Sequence, residues 1–336
     1  MDYLYRFNFG VKKILQDICL LMKIIERLDD IEEPFPNAVV TIGNFDGVHI
    51  GHQSLFHEVV LKAAEIKGTS VAMTFDPHPL RVLTKRRHPR LITLNEQKKE
   101  LIAATDLDVL IIVPFTKEFA AISARDFVSE LLVKRIGMKA IIVGRDYSFG
   151  KNREGDIQLL KELGQAIGFD VVLADWIKAS LRNEGRISST RIRKLVAAGD
   201  IEKAEKLLGR HYQIRGTVIQ GRNRGGKLLG FPTANIALQD ELCPKTGIYA
   251  VTVNWEDRVY QGVANIGYSP TFDDHIFTVE VHILDFHQDL YGQKIKVNFL
   301  KRIRNEIKFD GIEALSDQIR KDIALARNLL NNPSSK

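Results

Sequence analysis

Cysteine is nearly absent. Cys19 and Cys243 are the two in 336 residues. They lie far apart and neither falls in a CxxC or ligand-like spacing, so no disulfide framework or zinc site is indicated and a reducing cytoplasm is the expected compartment. A long apolar run is also missing. The stretch from Phe7 to Leu28 is interrupted by Lys12, Lys13, Asp17, Lys23 and Glu26, too often for a membrane span or the apolar part of a signal peptide. Charge of one sign is not in great excess: Lys and Arg number 48 against 42 Asp and Glu, a net of +6. That balance favours anionic partners without separating nucleic acid from nucleotides or phosphorylated metabolites. Basic patches interleaved with aromatics are not evident, and the run Lys85 to Arg90 is short and reads as a solvated loop, so neither nucleic acid nor membrane is expected as a partner. Internal repeats and low-complexity segments are missing too, apart from the final PSSK.

What is present is an ordinary soluble composition, 45% hydrophobic and 27% charged. At this length two domains are the natural expectation. From Ala38 to about Ile177, short β-branched runs (AVVTIGNF, TSVAMTF, DVLIIVPF, KAIIVGRDYSF, FDVVLADWI) alternate with helical patterns (HQSLFHEVVLKAAEIK, NEQKKELIAA, ARDFVSELLVKRIG, GDIQLLKELGQAIG). The order predicts an α/β domain with a Rossmann-like parallel sheet and ligands beyond the carboxyl ends of its strands. Ser189 to Gly209 reads as two short helices with a turn at Gly199-Asp200. From Tyr212 the pattern becomes YQIRGTVIQ, GIYAVTVNW, RVYQGVANI, FTVEVHILDF and QKIKVNFLKRI, separated by turn residues. This predicts an antiparallel β-barrel, followed by a C-terminal amphipathic helix from about Ile312 to Leu330.

The segment Gly43-Asn44-Phe45-Asp46-Gly47-Val48-His49-Ile50-Gly51-His52 follows the first of these strands and opens a helix. Gly43 and Gly47 let backbone approach a phosphate, with Phe45 and Asp46 in the same loop, and helix N-terminal amides supply oriented donors. His49 and His52, three apart on the first turn, can face one phosphate together and stabilise charge on the α-phosphate as pyrophosphate departs. The same pair could hold a metal, but no third ligand is evident. Ile187-Ser188-Ser189-Thr190-Arg191-Ile192-Arg193 places hydroxyls at a helix start and two arginines in its first turns. Arginines there oppose the helix dipole, which is better explained when an anion sits between them.

These two segments resemble the paired signatures of the HxGH adenylyltransferase superfamily, and within it the N-terminal half of bacterial bifunctional riboflavin kinase/FMN adenylyltransferases, the FAD synthetases. Thr74-Phe75-Asp76-Pro77-His78-Pro79 and Val143-Gly144-Arg145-Asp146-Tyr147-Ser148-Phe149-Gly150 match further motifs in the same order. The resemblance implies that His49, His52, Ser189 and Arg191, with Thr190 beside them, handle the ATP phosphates. It also implies that Asp76, Pro77, His78, Asp146 and Phe149 serve the flavin and nucleotide pockets. By sequence alone Asp76 to Pro79 reads equally as a rigid turn.

In the second half, Thr233 and Asn235 stand two apart in an extended PTAN segment, so their oxygens can share a face toward one Mg·ATP, while Lys227 and Gly230 suit its phosphate tail. Alternation in Thr278 to Phe286 puts Glu280, His282 and Leu284 on one face and Val279, Val281 and Ile283 on the other. Taken alone, this strand favours reading Glu280 as a solvated carboxylate. The half nevertheless resembles riboflavin kinase through PTAN, Gly262 to Gly267 with Pro270-Thr271-Phe272, the VEVHILDF strand, Asp289 to Gly292 and Arg304 to Phe309. The resemblance implies Thr233 and Asn235 as organisers of Mg·ATP and Glu280 as base for the riboflavin 5′-hydroxyl.

The expected activities are thus phosphorylation of riboflavin by ATP to FMN, then adenylylation of FMN to FAD, with Mg²⁺ at both steps and riboflavin, FMN and ATP as the small-molecule partners. The expected organisation is an unexplained extension over 1–21, an adenylyltransferase domain over 22–186, a helical connection over 187–211 and a kinase domain over 212–331. A flavin- or nucleic-acid-binding regulator that keeps the scaffold without the chemistry would lack catalytic groups, yet His49, His52, Thr233, Asn235 and Glu280 are all present. Loop 221–227 departs in detail from the family's glycine and arginine pattern. Met22 to Leu28 looks like the family's own opening, so translation is expected to start at Met22. N-terminal mass spectrometry of the native protein should find Met22, and a Met1 terminus refutes this expectation.

Overall fold

A computed structural model describes residues 22–84, 88–174, 186–220, 230–269 and 276–332. The chain forms two compact units, Met1–Pro89 with Thr93–Ser188, and Arg90–Ile92 with Ser189–Lys336.

The first unit is built on a six-stranded sheet whose strands are β1 (Lys23–Ile25), β2 (Ala38–Ile42), β3 (Ser70–Asp76), β4 (Val109–Pro114), β5 (Met138–Val143) and β6 (Asp170–Leu173). Their order is β1-β4-β3-β2-β5-β6 and all neighbours run parallel. Every residue of β2 is buried, as expected for a strand covered on both faces. Alternate residues feed two cores: Val40, Ile42, Val71 and Met73 on one face, Val39, Ala72 and Leu110 on the other. The helices include α1 (Ile50–Glu65), α2 (Pro79–Leu83), α3 (Asn95–Ala103) and α4 (Ile157–Ile167). The chain goes from β2 to β3 and β4 on one side, then returns to place β5 on the other side of β2. The order therefore reverses between β2 and β5, the position where open α/β sheets leave a crevice beyond the strand ends.

The second unit opens with α5 (Ser189–Ala198) and α6 (Ile201–Leu208). Its strands are β7 (Tyr212–Ile219), β8 (Ala234–Ile236), β9 (Gly247–Trp255), β10 (Arg258–Ser269), β11 (Ile276–Ile283) and β12 (Lys294–Arg304). They close an antiparallel barrel in the order β10-β11-β8-β7-β12-β9. Tyr212, Tyr249, Val279, Val281, Val297 and Phe299 are buried. The final helix α7 (Ile312–Asn331) packs against β9, β10 and β12. There Arg304 makes a bidentate pair with buried Asp322: Nε donates to Oδ1 at 2.9 Å and Nη2 to Oδ2 at 2.7 Å, and Gln318 Nε2 donates to Oδ1 at 2.9 Å.

The expected parallel sheet, antiparallel barrel and C-terminal helix are all present. Two three-residue strands were missed because they are too short to show a period: β1, read as no more than a chain opening, and β8, which carries Ala234-Asn235-Ile236. Conversely, GRDYSF does not prolong β5. The strand stops at Val143, Tyr147 N–H turns back to the Gly144 carbonyl at 3.0 Å, and Gly150 at φ 73° lies against the Ala124 backbone, where a Cβ would come within 2.6 Å. Leu284 lies past the end of β11 and is buried, so it does not share the half-buried face of Glu280 and His282. Residues 127–135 form a π-helical stretch rather than an ordinary helix.

Removing one partner of a buried, multiply hydrogen-bonded ion pair leaves an uncompensated charge and costs about 3–5 kcal/mol. Asp322→Ala should destabilise the barrel unit by that amount in urea unfolding followed by circular dichroism.

Candidate functional site

In the first unit the loop after β2 is held in an unusual backbone shape. Phe45, Gly47 and Val48 have φ of 45°, 88° and 38°. Only the glycine adopts this without strain, so the surroundings must enforce it on the others. Asp46 is 2% exposed, and its Oδ1 accepts from the Thr93 N–H at 3.1 Å, while Thr93 Oγ1 accepts from the Gly47 N–H at 3.0 Å. Phe45 packs edge-on to His52 and Phe56 with ring centroids 5.3 and 4.7 Å apart, and a Cβ on Gly43 would meet its ring at 2.8 Å.

The loop delivers His49 to the N-cap of α1. There its Nδ1 accepts from the His52 N–H at 3.3 Å, and the two imidazoles stack with centroids 3.6 Å apart. An Nδ1 that accepts leaves the neutral ring's proton on Nε2. Gly51 permits the ring's position, since a Cβ there would lie 3.2 Å from His49 Cε1 and Nδ1. Gly43, Phe45, Asp46, Gly47, His49 and His52 are thereby brought together at the amino end of a 16-residue helix, beside the β2–β5 reversal.

Asp76 ends β3, next to β2 in the sheet, and Pro77 and His78 follow it. His78 caps α2, its Nδ1 accepting from the Leu80 N–H at 3.2 Å. Across the reversal, Asp146 is exposed and ion-paired with Arg186 at 2.9 Å. Phe149 is buried against Phe127 and Tyr147, in an aromatic series that continues through Phe119 to Phe115 and Phe75. Phe149 therefore shapes this loop from the inside. Ser189, Thr190 and Arg191 begin α5 in the second unit. Arg193, two residues on, donates from Nε to the Arg90 carbonyl at 3.1 Å.

Sequence reasoning missed Lys98. It sits on α3 at 5% exposure, where burial holds its ammonium below the ordinary lysine range while Asp46 and Asp76 pull it back up. Its cation is thus placed near the loops after both β2 and β3. The signal was present in part: α3 begins two residues after Thr93, and its buried positions Gln97 and Lys98 are polar where a helix face should be apolar.

In the second unit, β8, β11 and β10 lie side by side, and Glu280 is the direct cross-strand partner of Asn235 on one side and Asn265 on the other. Opposed residues of an antiparallel pair project from the same face. Because Val279 and Val281 fill the interior, this row lies on the outer face of the barrel. Burial pushes the Glu280 carboxyl above the usual range, against a smaller opposing pull from the Thr278 hydroxyl, which donates at 3.5 Å. Thr233, two residues before Asn235, is exposed. His282, on the same face as Glu280, is engaged through Nδ1 with the Pro232 carbonyl at 2.8 Å. Gly267, diagonal to Glu280, leaves room for Glu306, whose Oε1 lies 2.0 Å from where a Cβ would be. Gly230 is exposed with φ 74°. Lys227 and Pro270 to Phe272 lie outside the described residues.

Residues 31–191 match the FAD synthetase family and residues 208–330 the riboflavin kinase family. The bifunctional riboflavin kinase/FMN adenylyltransferase of Buchnera aphidicola from Acyrthosiphon pisum is 38% identical over 92% of this chain and 99% of its own. That of Escherichia coli K12 is 38% identical over 91% and 97%. That of Listeria monocytogenes is 39% identical over 85% and 90%. A crystal structure of a Streptococcus pneumoniae protein described as a macrolide-efflux protein superposes with a TM-score of 0.81 at 33% identity, covering 92% of this chain and 99% of that one. Among the described residues no helix is long and apolar enough to cross a membrane. With matches spanning both units and nearly the whole length of these relatives, the chain belongs to the bifunctional riboflavin kinase/FMN adenylyltransferase family.

Proposed function

We propose that this chain makes FAD from riboflavin in two steps, with the barrel unit carrying out the kinase step at Glu280 and the parallel-sheet unit the adenylyl transfer at His49 and His52. The observation that carries the reading is the cross-strand row: a half-buried carboxylate with raised proton affinity, aligned with the Asn235 of PTAN.

At the barrel, Glu280 accepts the proton of the riboflavin 5′-hydroxyl as its oxygen attacks the γ-phosphorus of ATP. Burial strengthens it as a base. Thr233 and Asn235 offer neutral oxygens on one face, which suits Mg²⁺ held mainly by substrate phosphates. Among the described residues no cluster of three His, Cys, Asp or Glu competes for a metal. When bound, Mg²⁺ neutralises charge on the phosphate oxygens. Lys227 and Gly230 belong to the phosphate-tail loop of this reading.

At the sheet, the Gly43–His49 loop and the first turn of α1 present backbone donors to the ATP phosphates. His49, with its proton on Nε2, donates toward the α-phosphate, where negative charge develops as the FMN phosphate attacks and pyrophosphate leaves. His52, stacked on it, adds a second donor, and Ser189, Thr190 and Arg191 supply hydroxyls and a guanidinium for the phosphates. Asp76, Pro77, His78, Asp146 and Phe149 shape the flavin pocket, which the aromatic series from Phe75 to Tyr147 supports. We assign residues 22–186 to adenylyl transfer, 187–211 to the connection and 212–331 to the kinase. We place the chain in the cytoplasm, the setting its sparse cysteine favours; burial pushes the Cys243 thiol up to about 12.

Incubation with riboflavin, ATP and Mg²⁺, followed by chromatography, should show FMN rising before FAD. No conversion overturns the reading. Glu280→Gln should lower kinase turnover by about 10²-fold or more with FMN adenylylation intact. It should not lower thermal stability, because a half-buried carboxylate whose charged form is disfavoured by burial is replaced by a neutral amide. Equal loss of both activities would mean damage to the fold instead. His49→Ala should do the reverse, costing about 10²-fold in FAD formation and sparing the kinase; retained FAD synthesis would remove His49 from the mechanism.

A further inference from the structure

The kinase reading accounts for two members of the row on the outer face of the barrel and leaves the third without a task. Asn265 on β10 is the cross-strand partner of Glu280, as Asn235 is on β8. Opposed Cβ atoms in such pairs are about 5 Å apart. The three side chains therefore form a line across three adjacent strands, with the carboxylate in the middle.

The chemistry gives the line a direction. Phosphoryl transfer needs the attacking oxygen, the phosphorus and the leaving oxygen roughly in line. With Asn235 on β8 and Thr233 just before it organising the triphosphate, the alcohol must approach Glu280 from the opposite side, over β10. The substrate there is the end of a polyol chain: the reacting primary hydroxyl carries neighbouring secondary hydroxyls. A carboxamide, which both donates and accepts, suits a neutral hydroxyl better than any charged group. Asn265 is half-buried, its neighbours Ala264 and Ile266 point into the barrel, and α7 packs against β10 and β9. An asparagine placed only for solubility would not need register with the base.

We propose that Asn265 is a specificity-determining residue of the kinase, hydrogen-bonding a secondary hydroxyl of the ribityl chain so that the terminal hydroxyl meets Glu280. The proposal rests on the kinase reading and adds to it which part of the substrate lies over β10. It makes the enzyme select polyol-bearing flavins over those with a plain hydroxyalkyl chain, since a polar group built to meet a hydroxyl is left unpaired when the hydroxyl is missing.

The test is a cycle of two enzymes and two substrates. Wild type and Asn265→Ala are assayed with riboflavin and with a flavin whose side chain ends in the same primary hydroxyl but carries no others. With riboflavin the variant should lose about 10-fold or more in kcat/KM. With the hydroxyalkyl flavin the two enzymes should agree within about twofold, because the contact is already gone. Quenching of flavin fluorescence without nucleotide should show weaker riboflavin binding by the variant. FMN adenylylation by the same preparation reports an intact chain. An equal loss with both substrates places Asn265 in support of Glu280 or of the fold and overturns the proposal, as does no loss with riboflavin. Wild type that fails to phosphorylate riboflavin removes the kinase reading itself and the proposal with it, whereas wild-type turnover with an additive cycle removes the proposal alone.

Discussion

Register in the barrel governs everything the second unit does. Side chains in a strand alternate between faces, so a slip of β11 by one residue against its neighbours would turn Glu280 into the apolar interior and Val279 and Val281 out to solvent. Burying an unpaired carboxylate while exposing two valines is unfavourable on both counts. The hydrophobic pattern that closes the barrel is therefore the same constraint that presents the carboxylate between two carboxamides. Core and proposed site are specified by one alternation.

The first unit solves a different problem, since its groups sit on loops rather than on strand faces. A loop is precise only if something fixes it. Here Asp46 and Thr93 clamp the turn after β2, and a histidine ring serves as the cap of α1. The left-handed backbone at Phe45 and Val48 is the cost of bringing glycine, carboxylate and two imidazoles into so few residues. That loop lies beside the reversal of strand order at β2, the position where open α/β sheets bind their ligands.

Much of this was legible in the chain. The alternation from Ala38 onward and the change of pattern at Tyr212 gave both fold classes, and the spacing of His49 to His52 and of Thr233 to Asn235 pointed to the two segments proposed as sites. What stayed hidden depends on contacts between segments distant in sequence. The polar Gln97 and Lys98 on α3 hint at an unusual helix face, but nothing local to Lys98 says that it lies near Asp46 and Asp76. Nothing local to Thr93 says that it holds Asp46, and nothing in GVANIG says that its asparagine faces Glu280 across a strand pair. The strand Ala234–Ile236 escaped because three residues cannot show a period; pairing with β11 and β7 makes it a strand. GRDYSF read as strand because its aromatics favour one, whereas the close approach of Gly150 to Ala124 bends the chain away.

The two sheets also differ in what they offer to other chains. The barrel closes on itself, so its ladder has no free edge. The parallel sheet is open, yet among the described residues it ends in β1 and β6, three and four residues long. Unpaired amides and carbonyls in a long flat edge invite a strand from a second molecule, and short edges deny it the length to take hold. The folded sheet, as described, thereby offers a second copy little length for strand-by-strand association.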